Sequence, residues 1–185
     1  MSGLNINRRR FLGKLPLAVL GGAILSSHFS FAFKNRVDSP FPGFDSNTRD
    51  SNDLRASGFL GNTIKVTGNI YGKDGLSLKP NARLEVWHLS PGSSQYNHRG
   101  AFSSNTDGAY VFKTEMPNRT KGKLPRIFFK VSHEGNVAFT ELVLTAQKAF
   151  ITHEHWENHK SLNDKLFPVY EENSEEIAIH FNITV

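Results

Sequence analysis

Short runs in which apolar and polar residues alternate dominate the chain from about residue 59 onward. Alternation with a period of two is typical of β-strands that bury one face. Between the runs stand turn signals such as Asp-Gly and Gly-Lys-Asp-Gly. The runs that predict strands are NTIKVTGNIYG, NARLEVWHL, DGAYVFKTEMP, NVAFTELVL and EIAIHFNITV. Many short strands separated by turns indicate a sandwich of two sheets.

A further run, KLPRIFFKV, predicts a strand with two dissimilar faces. Ile127, Phe129 and Val131 fall on one side, which we expect to face the core. The other side carries Arg126 and Phe128, followed by a second cation. A large aromatic residue between two cations is unusual for a plain solvent face, so this side is a candidate for function.

The chain divides by composition into three parts, residues 1–32, 33–58 and 59–185. The middle part is rich in Ser, Asn, Asp and Pro and lacks a clear period, which predicts an extended arm with isolated aromatic anchors. The last part has the length of one domain and can bury a proper core. Within it, residues 145–175 are polar, and we expect a helical turn or two there.

The N-terminal part is predicted to be an export signal. It carries Arg8, Arg9, Arg10 and Lys14 and no acidic residue, and NRRRFLGK resembles a twin-arginine motif. The apolar stretch that follows is too short to span a bilayer comfortably, and cleavage after Ala32 is expected. An uncleaved membrane anchor is the alternative. The chain has no cysteine, and therefore no disulfides and no lipid attachment through that residue.

Charge outside the signal does not favour a nucleic-acid partner. The whole chain has 22 basic and 17 acidic residues, a net charge of +5. Removing the four cations of residues 1–32 leaves 18 basic and 17 acidic residues, or +1. We therefore expect a periplasmic or otherwise exported protein that binds no nucleic acid and keeps no stable membrane anchor after cleavage.

Two ordered blocks resemble one enzyme family. NTIKVTGNIYGKDGLSLKPNARLEVWHLSPGSSQYNHRG and NTDGAYVFKTEMP are similar to the opening blocks of the intradiol ring-cleavage dioxygenases, the catechol and protocatechuate enzymes with a non-haem ferric ion. The match covers about residues 59–145. It implies an all-β fold, a Greek-key-type β-sandwich like the catalytic domain of those enzymes.

The resemblance also implies where iron ligands should stand. In that family two tyrosinates and two histidines hold Fe(III), a donor set that suits a hard ferric ion. Tyr96 stands at the first tyrosine position, but Thr120 stands at the second. Arg126 and Phe128 stand at the two histidine positions, and Lys123 at a neighbouring arginine position. Arginine cannot donate a lone pair, so we expect no cofactor, with Fe(III) as the alternative.

The segment HEHWENH offers a different metal hypothesis. His155 and His159 are four residues apart and would share one face of a helix, where they could clasp a divalent ion. His153 and His155 would instead share one face of a strand, and both arrangements cannot hold in one element. A solvated polar loop is the alternative reading of this segment.

A residual pocket forms the last set of candidates. Tyr96 and His98 could line it together with His88 and Arg126, or Tyr96 could be an ordinary sandwich residue. Arg126, Lys123 and Arg119 could form a patch suited to a carboxylate or phenolate. The alternative for these cations is a charged edge that discourages strand pairing.

Two functions from different classes follow from these observations, and whether the chain is an enzyme stays open. In the first, the domain has lost its iron site and acts as a binding or accessory module for a small aromatic or carboxylated ligand. In the second, it is an active dioxygenase that cleaves catechol-type aromatics through a rearranged site of Tyr96, His98 and the HEHWENH segment. A purely structural domain is a third option. The sequence does not indicate an oligomeric state.

Overall fold

A computed structural model describes residues 39–185 of the chain. The predicted signal peptide, residues 1–32, and the first residues of the arm lie outside the described residues. The rest of the arm, residues 39–58, has no regular strand of its own apart from isolated bridges. Within residues 39–185 no helix has the length and hydrophobicity needed to cross a bilayer.

Ten strands and one α-helix account for the regular structure of the described range. The helix α1 (His153–His159) continues into a 3₁₀ segment, Lys160–Lys165. The strands are β1 (Thr63–Tyr71), β2 (Arg83–His88), β3 (His98–Ser103), β4 (Ala109–Thr114), β5 (Arg126–His133), β6 (Asn136–Leu144), β7 (Ala149–Ile151), β8 (Val169–Glu172), β9 (Glu176–His180) and β10 (Ile183–Thr184).

The strands form two sheets. Sheet A has the order β3-β2-β5-β6-β7 and is antiparallel throughout. In sheet B, β1 lies between β4 on one side and β9 with β10 on the other, and β8 pairs with β9. The pairing of β1 with β9 and β10 is parallel, so strands more than 100 residues apart lie side by side. The prediction of an all-β sandwich is confirmed.

The core lies between the inner faces of the two sheets, where the apolar positions of the alternating runs meet. On β1 every second residue is buried, as a strand with one covered face requires. The largest side chains with almost no exposure are Phe112, Phe129, Phe181, Ile64, Ile70, Leu84, Ile127, Leu142, Leu144, Leu162, Ile179 and Ile183.

Several strands depart from strict alternation of buried and exposed residues, and β3, β7 and β8 do so or stay unburied for identifiable reasons. On β3 the pattern fails because the arm crosses over it, and a Cβ on Gly100 would stand 2.3 Å from the backbone oxygen of Ser51. Strands β7 and β8 are short edge strands, and neither has a buried residue. Both lie in residues 145–175, where the sequence predicts a helical turn or two. The helical part is confirmed by α1, and the flanking strands were not predicted.

The described part of the arm joins the free edges of the two sheets. Backbone hydrogen bonds of 2.8–3.1 Å link residues 49–54 to Ala101 on β3 and to Lys113 on β4. Leu54 enters the core and is 4% exposed. Since β3 and β4 lie at the same side of the sandwich, the arm covers two strand edges that would otherwise be open to pairing.

Candidate functional site

The outer face of sheet A carries Arg126 and Phe128 of the strand β5, the two residues that the sequence resemblance places at iron-ligand positions. Phe128 lies on this face beside Trp87 of β2, with ring centroids 5.7 Å apart. Arg126, two residues earlier on β5, points to the same face. Phe128 is only 6% exposed and Trp87 only 2%. The strand alternation therefore predicted the two faces of β5 correctly, but the outer face is covered and not solvated.

Aromatic residues of the arm provide that cover. The ring of Phe41 stacks on Phe128 with centroids 4.9 Å apart and planes inclined by 22°. Phe44 packs on Trp87 at 5.2 Å. The indole N–H of Trp87 donates a hydrogen bond of 2.9 Å to the carbonyl of Pro42. The isolated aromatic residues of the arm are therefore anchors, as the sequence indicated.

Tyr96 lies at the margin of this aromatic cluster. Its ring centroid is 6.3 Å from that of Phe128, and partial burial raises the pKa of its hydroxyl. The arm passes directly over the ring: a Cβ on Gly43 would stand 2.2 Å from Tyr96 Cγ, and Gly43 has a φ of +74°. Glycine meets both demands, because it has no side chain and adopts positive φ freely.

The remaining candidate residues fall into two groups: some are exposed to solvent, and others lie on the outer face of sheet A. Thr120 and Lys123 are exposed and belong to a turn in which Lys123 N–H donates to the Thr120 carbonyl at 2.9 Å. Arg119 is exposed as well. Thr120 therefore stands in solvent, and the outer face carries Tyr96, Arg126 and Phe128.

Arg126 is held by a carboxylate, and one of its buried donors is left without a partner. Its Nη1 donates to Oε1 of Glu141 on the neighbouring strand β6, and that carboxylate side chain is 10% exposed. The Nε–H of Arg126 is buried and has no hydrogen-bond partner among the described residues. A buried donor without a partner is costly, so this atom marks a place where an acceptor would be stabilising.

Comparison with solved structures identifies proteins that share this fold. No family model and no curated protein matches the sequence. The chain is similar to the dioxygenase domain of a dioxygenase carbohydrate-binding protein fusion from Streptomyces sp. SirexAA-E, with a TM-score of 0.60 and 16% identity over 80% of this chain and 95% of that one. The fold is that of the intradiol ring-cleavage dioxygenases.

Two further structures support the same conclusion about the fold. An intradiol ring-cleavage dioxygenase from Tetranychus urticae has a TM-score of 0.55 and 15% identity, over 76% of this chain and 88% of that chain. A chlorocatechol 1,2-dioxygenase from Pseudomonas putida has a TM-score of 0.56 and 14% identity, over 77% of this chain and 69% of that chain. At these identities the likeness concerns architecture, and activity has to be argued from the site.

The residues that the sequence resemblance places at the iron-ligand positions do not fit a ferric ion. Phe128 has no donor atom, and Arg126 brings a permanent positive charge that is already paired with Glu141. Thr120 is exposed in its turn. Tyr96 remains, but burial raises the pKa of its hydroxyl above the ordinary value and so disfavours the tyrosinate that a ferric ion binds. We therefore derive no chemistry through iron at this face.

His98 lies on the other side of sheet A, away from Tyr96. Its Nδ1 is 2.9 Å from Ser90 Oγ and its Nε2 is 3.2 Å from Glu115 Oε1. The ring of His88 lies beside it, with centroids 5.0 Å apart. The predicted pocket of Tyr96, His98, His88 and Arg126 is therefore split: the two histidines share the inner side, and Tyr96 and Arg126 belong to the outer face.

His88 is a neutral, fully buried member of this inner group. Its Nδ1 is 2.9 Å from the Leu89 carbonyl, which can only accept, so Nδ1 carries the proton. The Nε2 then accepts from the hydroxyl of Thr114 at 2.6 Å. Burial is the main cause that lowers the pKa of His88 to about 3.

The HEHWENH segment forms the helix α1, so its histidines divide between two sides. The hydroxyl of Thr152 caps the helix by accepting from His155 N–H at 3.2 Å. His155 and His159 lie on the buried side with ring centroids 4.3 Å apart, and His153 is exposed and stacks on Trp156. The helical spacing of the last two is confirmed, whereas His153 cannot join them.

Both buried histidines of α1 are neutral, and in each ring only one of the two nitrogens has a hydrogen-bond partner. Threonine hydroxyls contact each Nδ1, that of Thr140 at 2.6 Å for His155 and that of Thr184 at 2.7 Å for His159. Neither Nε2 has a partner within the described part of the chain. Burial is the main cause that lowers the pKa of His155 to about 3 and of His159 to about 4.

These two imidazoles do not complete a metal site. Across residues 39–185 no group of three or more His, Cys, Asp or Glu side chains is arranged to hold a metal ion. The backbone N–H of Thr184 donates to His159 Nδ1 at 3.1 Å, which leaves the ring proton on Nε2. A protonated Nε2 has no lone pair for a metal.

For three residues that shape these places, the sequence did not indicate the partner: it predicted Phe41 only as an anchor of the arm, and it did not single out Glu141 or Glu115. Phe41 lies 87 positions from Phe128, and Glu141 and Glu115 carry no motif. Their roles depend on pairing across strands and on the course of the arm. The period of two would have placed Glu141 on the outer face of β6 once the register of β5 and β6 was known.

Proposed function

We propose that this protein is an exported, metal-free relative of the intradiol dioxygenases that binds a small aromatic carboxylate or phenolate on the outer face of sheet A. The observation that carries the proposal is the Phe41–Phe128 stack at 4.9 Å beside the unpartnered Nε–H of Arg126. An aromatic ring of the protein itself lies where an aromatic ligand would lie.

The face has the two properties that such a ligand needs. Phe128 and Trp87 offer aromatic surfaces for a planar ring, because offset and tilted ring pairs stabilise each other by about 0.5–1.5 kcal/mol. Arg126 offers a directed donor to a carboxylate or phenolate oxygen. The exposed cations Arg119 and Lys123 belong to the segment just before β5 and add positive charge to its approach.

The arm would regulate access to this face. Binding requires the ring of Phe41 to leave Phe128, so the apparent affinity is reduced by the fraction of molecules in which the arm is docked. The covered state also explains why Phe128 and Trp87 are buried although they lie outside the sandwich core.

Binding can be tested with benzoate as the probe, by calorimetry and by the fluorescence of Trp87 in a Trp156→Phe background, since Trp156 also emits. We expect benzoate to bind the purified full chain, and benzyl alcohol and hexanoate, which lack either the charge or the ring, to bind more weakly. The Phe41→Ala variant should bind benzoate about 2- to 10-fold more tightly, the equivalent of one aromatic pair. Phe167→Ala, at a position 61% exposed, is the matched control.

The result against the proposal is equally specific. If benzoate fails to bind both the wild type and Phe41→Ala while both are folded, the outer face is a structural contact between arm and sheet. If Arg126→Gln binds benzoate as well as the wild type does, the anion is not recognised by this arginine.

A separate experiment addresses the active-dioxygenase alternative. The chain is produced with iron supplied, and its metal content and visible spectrum are measured. We expect a colourless protein without stoichiometric iron. One ferric ion per chain with a tyrosinate charge-transfer band would overturn the metal-free proposal and make catechol cleavage the next assay.

Export through the twin-arginine route to the periplasm is the remaining part of the proposal. It is supported by Arg8 and Arg9 before an apolar stretch in the sequence. Replacing both arginines by lysine should retain the protein in the cytoplasm of a bacterial host, as measured by fractionation. Unchanged export of this variant would contradict the assignment of the route.

A further inference from the structure

Ser90, His98 and Glu115 form a hydrogen-bonded chain on the inner side of sheet A. Ser90 Oγ is 2.9 Å from His98 Nδ1, and His98 Nε2 is 3.2 Å from Glu115 Oε1. The serine is 6% exposed, the histidine side chain 12% and the glutamate side chain 7%. This group does not involve the outer face and does not depend on the proposed function.

The proton positions in this chain follow from the groups themselves. A carboxylate only accepts, so in neutral His98 the ring proton lies on Nε2 and is donated to Glu115. His98 Nδ1 then has a free lone pair directed at the hydroxyl of Ser90. The backbone N–H of Asn97 donates to Ser90 Oγ at 3.1 Å, so the hydroxyl proton is left for His98. The order is carboxylate, imidazole and hydroxyl, the arrangement of an activated nucleophile.

Other contacts hold the carboxylate and the imidazole in place. Glu115 Oε1 also accepts the backbone N–H of Ala56, from the arm. The ring of His88 packs beside that of His98 and is itself fixed by Thr114. An imidazole oriented on one side by a buried carboxylate and on the other by a neighbouring ring is the positioning that general-base catalysis needs.

We propose that Ser90 is the nucleophile of an esterase site, with His98 as general base and Glu115 as the residue that orients it. Ser90 Oγ attacks the carbonyl carbon of an ester and its proton passes to His98 Nδ1. The alcohol leaves with that proton, and the acyl group stays on Ser90. His98 then takes a proton from water, whose oxygen attacks the acyl carbon, and the carboxylic acid leaves as Ser90 regains its proton.

The surroundings indicate the class of ester. The wall of an open pocket of about 390 Å³ includes Glu115 and Pro91, the residue after the serine, whereas Ser90 and His98 themselves do not line it. The rest of the wall is mainly apolar and includes Phe59, Met116 and Ile177. The backbone N–H of Ser90 is committed to the Gln95 carbonyl at 2.8 Å and is not free to stabilise an oxyanion. We therefore assign small apolar esters with a good leaving group.

The first test is covalent labelling of the purified full chain with a fluorophosphonate probe, with the labelled residue identified by peptide mass spectrometry. We expect a label on Ser90 in the folded protein and none after heat denaturation. The same preparation should release p-nitrophenol from p-nitrophenyl acetate. This measurement on the wild type does not depend on whether any variant folds.

Variants then separate a catalytic role from a structural one. Ser90→Ala should abolish labelling and hydrolysis, and Ser94→Ala, an exposed serine of the same loop, is the matched control that should keep both. His98→Gln and Glu115→Gln should each slow the labelling of Ser90 by about 10²- to 10⁴-fold, the usual contribution of a positioned general base. Circular dichroism confirms that each variant is folded.

Two results would overturn the proposal. One is a folded wild type that takes no label on Ser90. The other is labelling of Ser90 at an unchanged rate in folded His98→Gln, which would make the three residues a structural hydrogen-bond chain that closes the loop of residues 90–97.

Discussion

Phe128 and Phe129 are neighbours on the strand β5, and both are less than 10% exposed, but they are buried by different parts of the molecule. Phe129 faces the second sheet, with ring centroids 5.9 Å from Phe112 and 5.4 Å from Phe181. Phe128 faces outward and is covered by Phe41 of the arm at 4.9 Å. The two sides of one strand therefore depend on different partners.

The two sides of β5 differ in which part of the molecule must move before they are exposed to solvent. The inner side is closed by strands that are hydrogen-bonded along their length, so exposing it requires the sandwich to come apart. The outer side is closed by a segment that makes a few backbone bonds to the sheet edges near residues 49–54. Local opening of such a segment costs less free energy than global unfolding. The outer side can therefore be exposed by local opening of the arm, whereas the packed core between the sheets is exposed only when the fold is lost.

The largest expected effect is the loss of folding stability in acid, which acts through histidines buried inside the fold. Burial lowers the pKa of His88 and His155 to about 3 and that of His159 to about 4, and all three lie within the fold. In the unfolded chain a histidine has a pKa near 6.5, so between these values the unfolded state binds more protons. Stability is complete above about pH 6.5 and falls as the pH drops toward 4, with a slope of up to about 4 kcal/mol per pH unit for three protons.

Denaturant unfolding between pH 7 and pH 5 measures this slope. His159→Gln removes one of the three protons and should make the slope about 1.4 kcal/mol per pH unit shallower. His153→Gln, an exposed position on the same helix, is the control and should keep the wild-type slope. An identical slope in His159→Gln would mean that acid sensitivity does not come from this buried pair.

Truncation of the inner phenylalanine should give the next largest effect. Phe129→Ala removes a fully buried ring from the core and should lower the free energy of unfolding by about 3–5 kcal/mol. The second sheet cannot close the cavity without disturbing its hydrogen bonds. Urea unfolding followed by circular dichroism measures the change, and a loss below about 1 kcal/mol would show that the core repacks.

Truncation of the outer phenylalanine should cost less and act locally. Phe128→Ala should lower the free energy of unfolding by about 1–3 kcal/mol, because the arm can settle into the space. Cleavage by a protease within residues 39–58 should become faster in this variant and stay unchanged in Phe129→Ala at equal fractions folded. Equal losses in both variants with no change in cleavage would contradict the distinction between the two sides.

The ion pair of the outer face should contribute least. Glu141→Gln keeps an acceptor for Arg126 but removes the charge, and the Arg126 side chain is 29% exposed. We expect a loss of about 1 kcal/mol in the free energy of unfolding, smaller at high salt. Glu171→Gln, at an exposed position of β8, is the control. A loss above about 3 kcal/mol would place this pair among fully buried ones.

Prediction from the sequence succeeded where the signal is local. The alternation of Ile127 and Phe129 with Arg126 and Phe128 identified the strand β5 and its two faces correctly, because adjacent side chains on a strand must point in opposite directions. The spacing of His155 and His159 likewise fitted the helix that forms. Both signals depend only on backbone geometry over a few residues.

Prediction failed where distant segments meet. The pattern of β3 is obscured by the arm above Gly100, and the contact of Phe41 with Phe128 depends on the path of the arm between them. His98 was grouped with Tyr96, two positions away, although the chain turns between them and sends the two side chains to opposite sides of sheet A. A register and a chain path are needed to place such residues.

The sequence by itself determined the class of fold through its alternating strands, and its resemblance to the intradiol dioxygenases places Thr120, Arg126 and Phe128 where that family has ferric ligands. Neither result requires knowledge of which strands pair. Only the tertiary structure decided what surrounds those positions, with Phe41 on Phe128, Glu141 on Arg126, and Ser90 in line with His98 and Glu115. The reason is physical: a strand fixes the direction of each side chain, but its neighbours are set by pairing and packing across the whole chain.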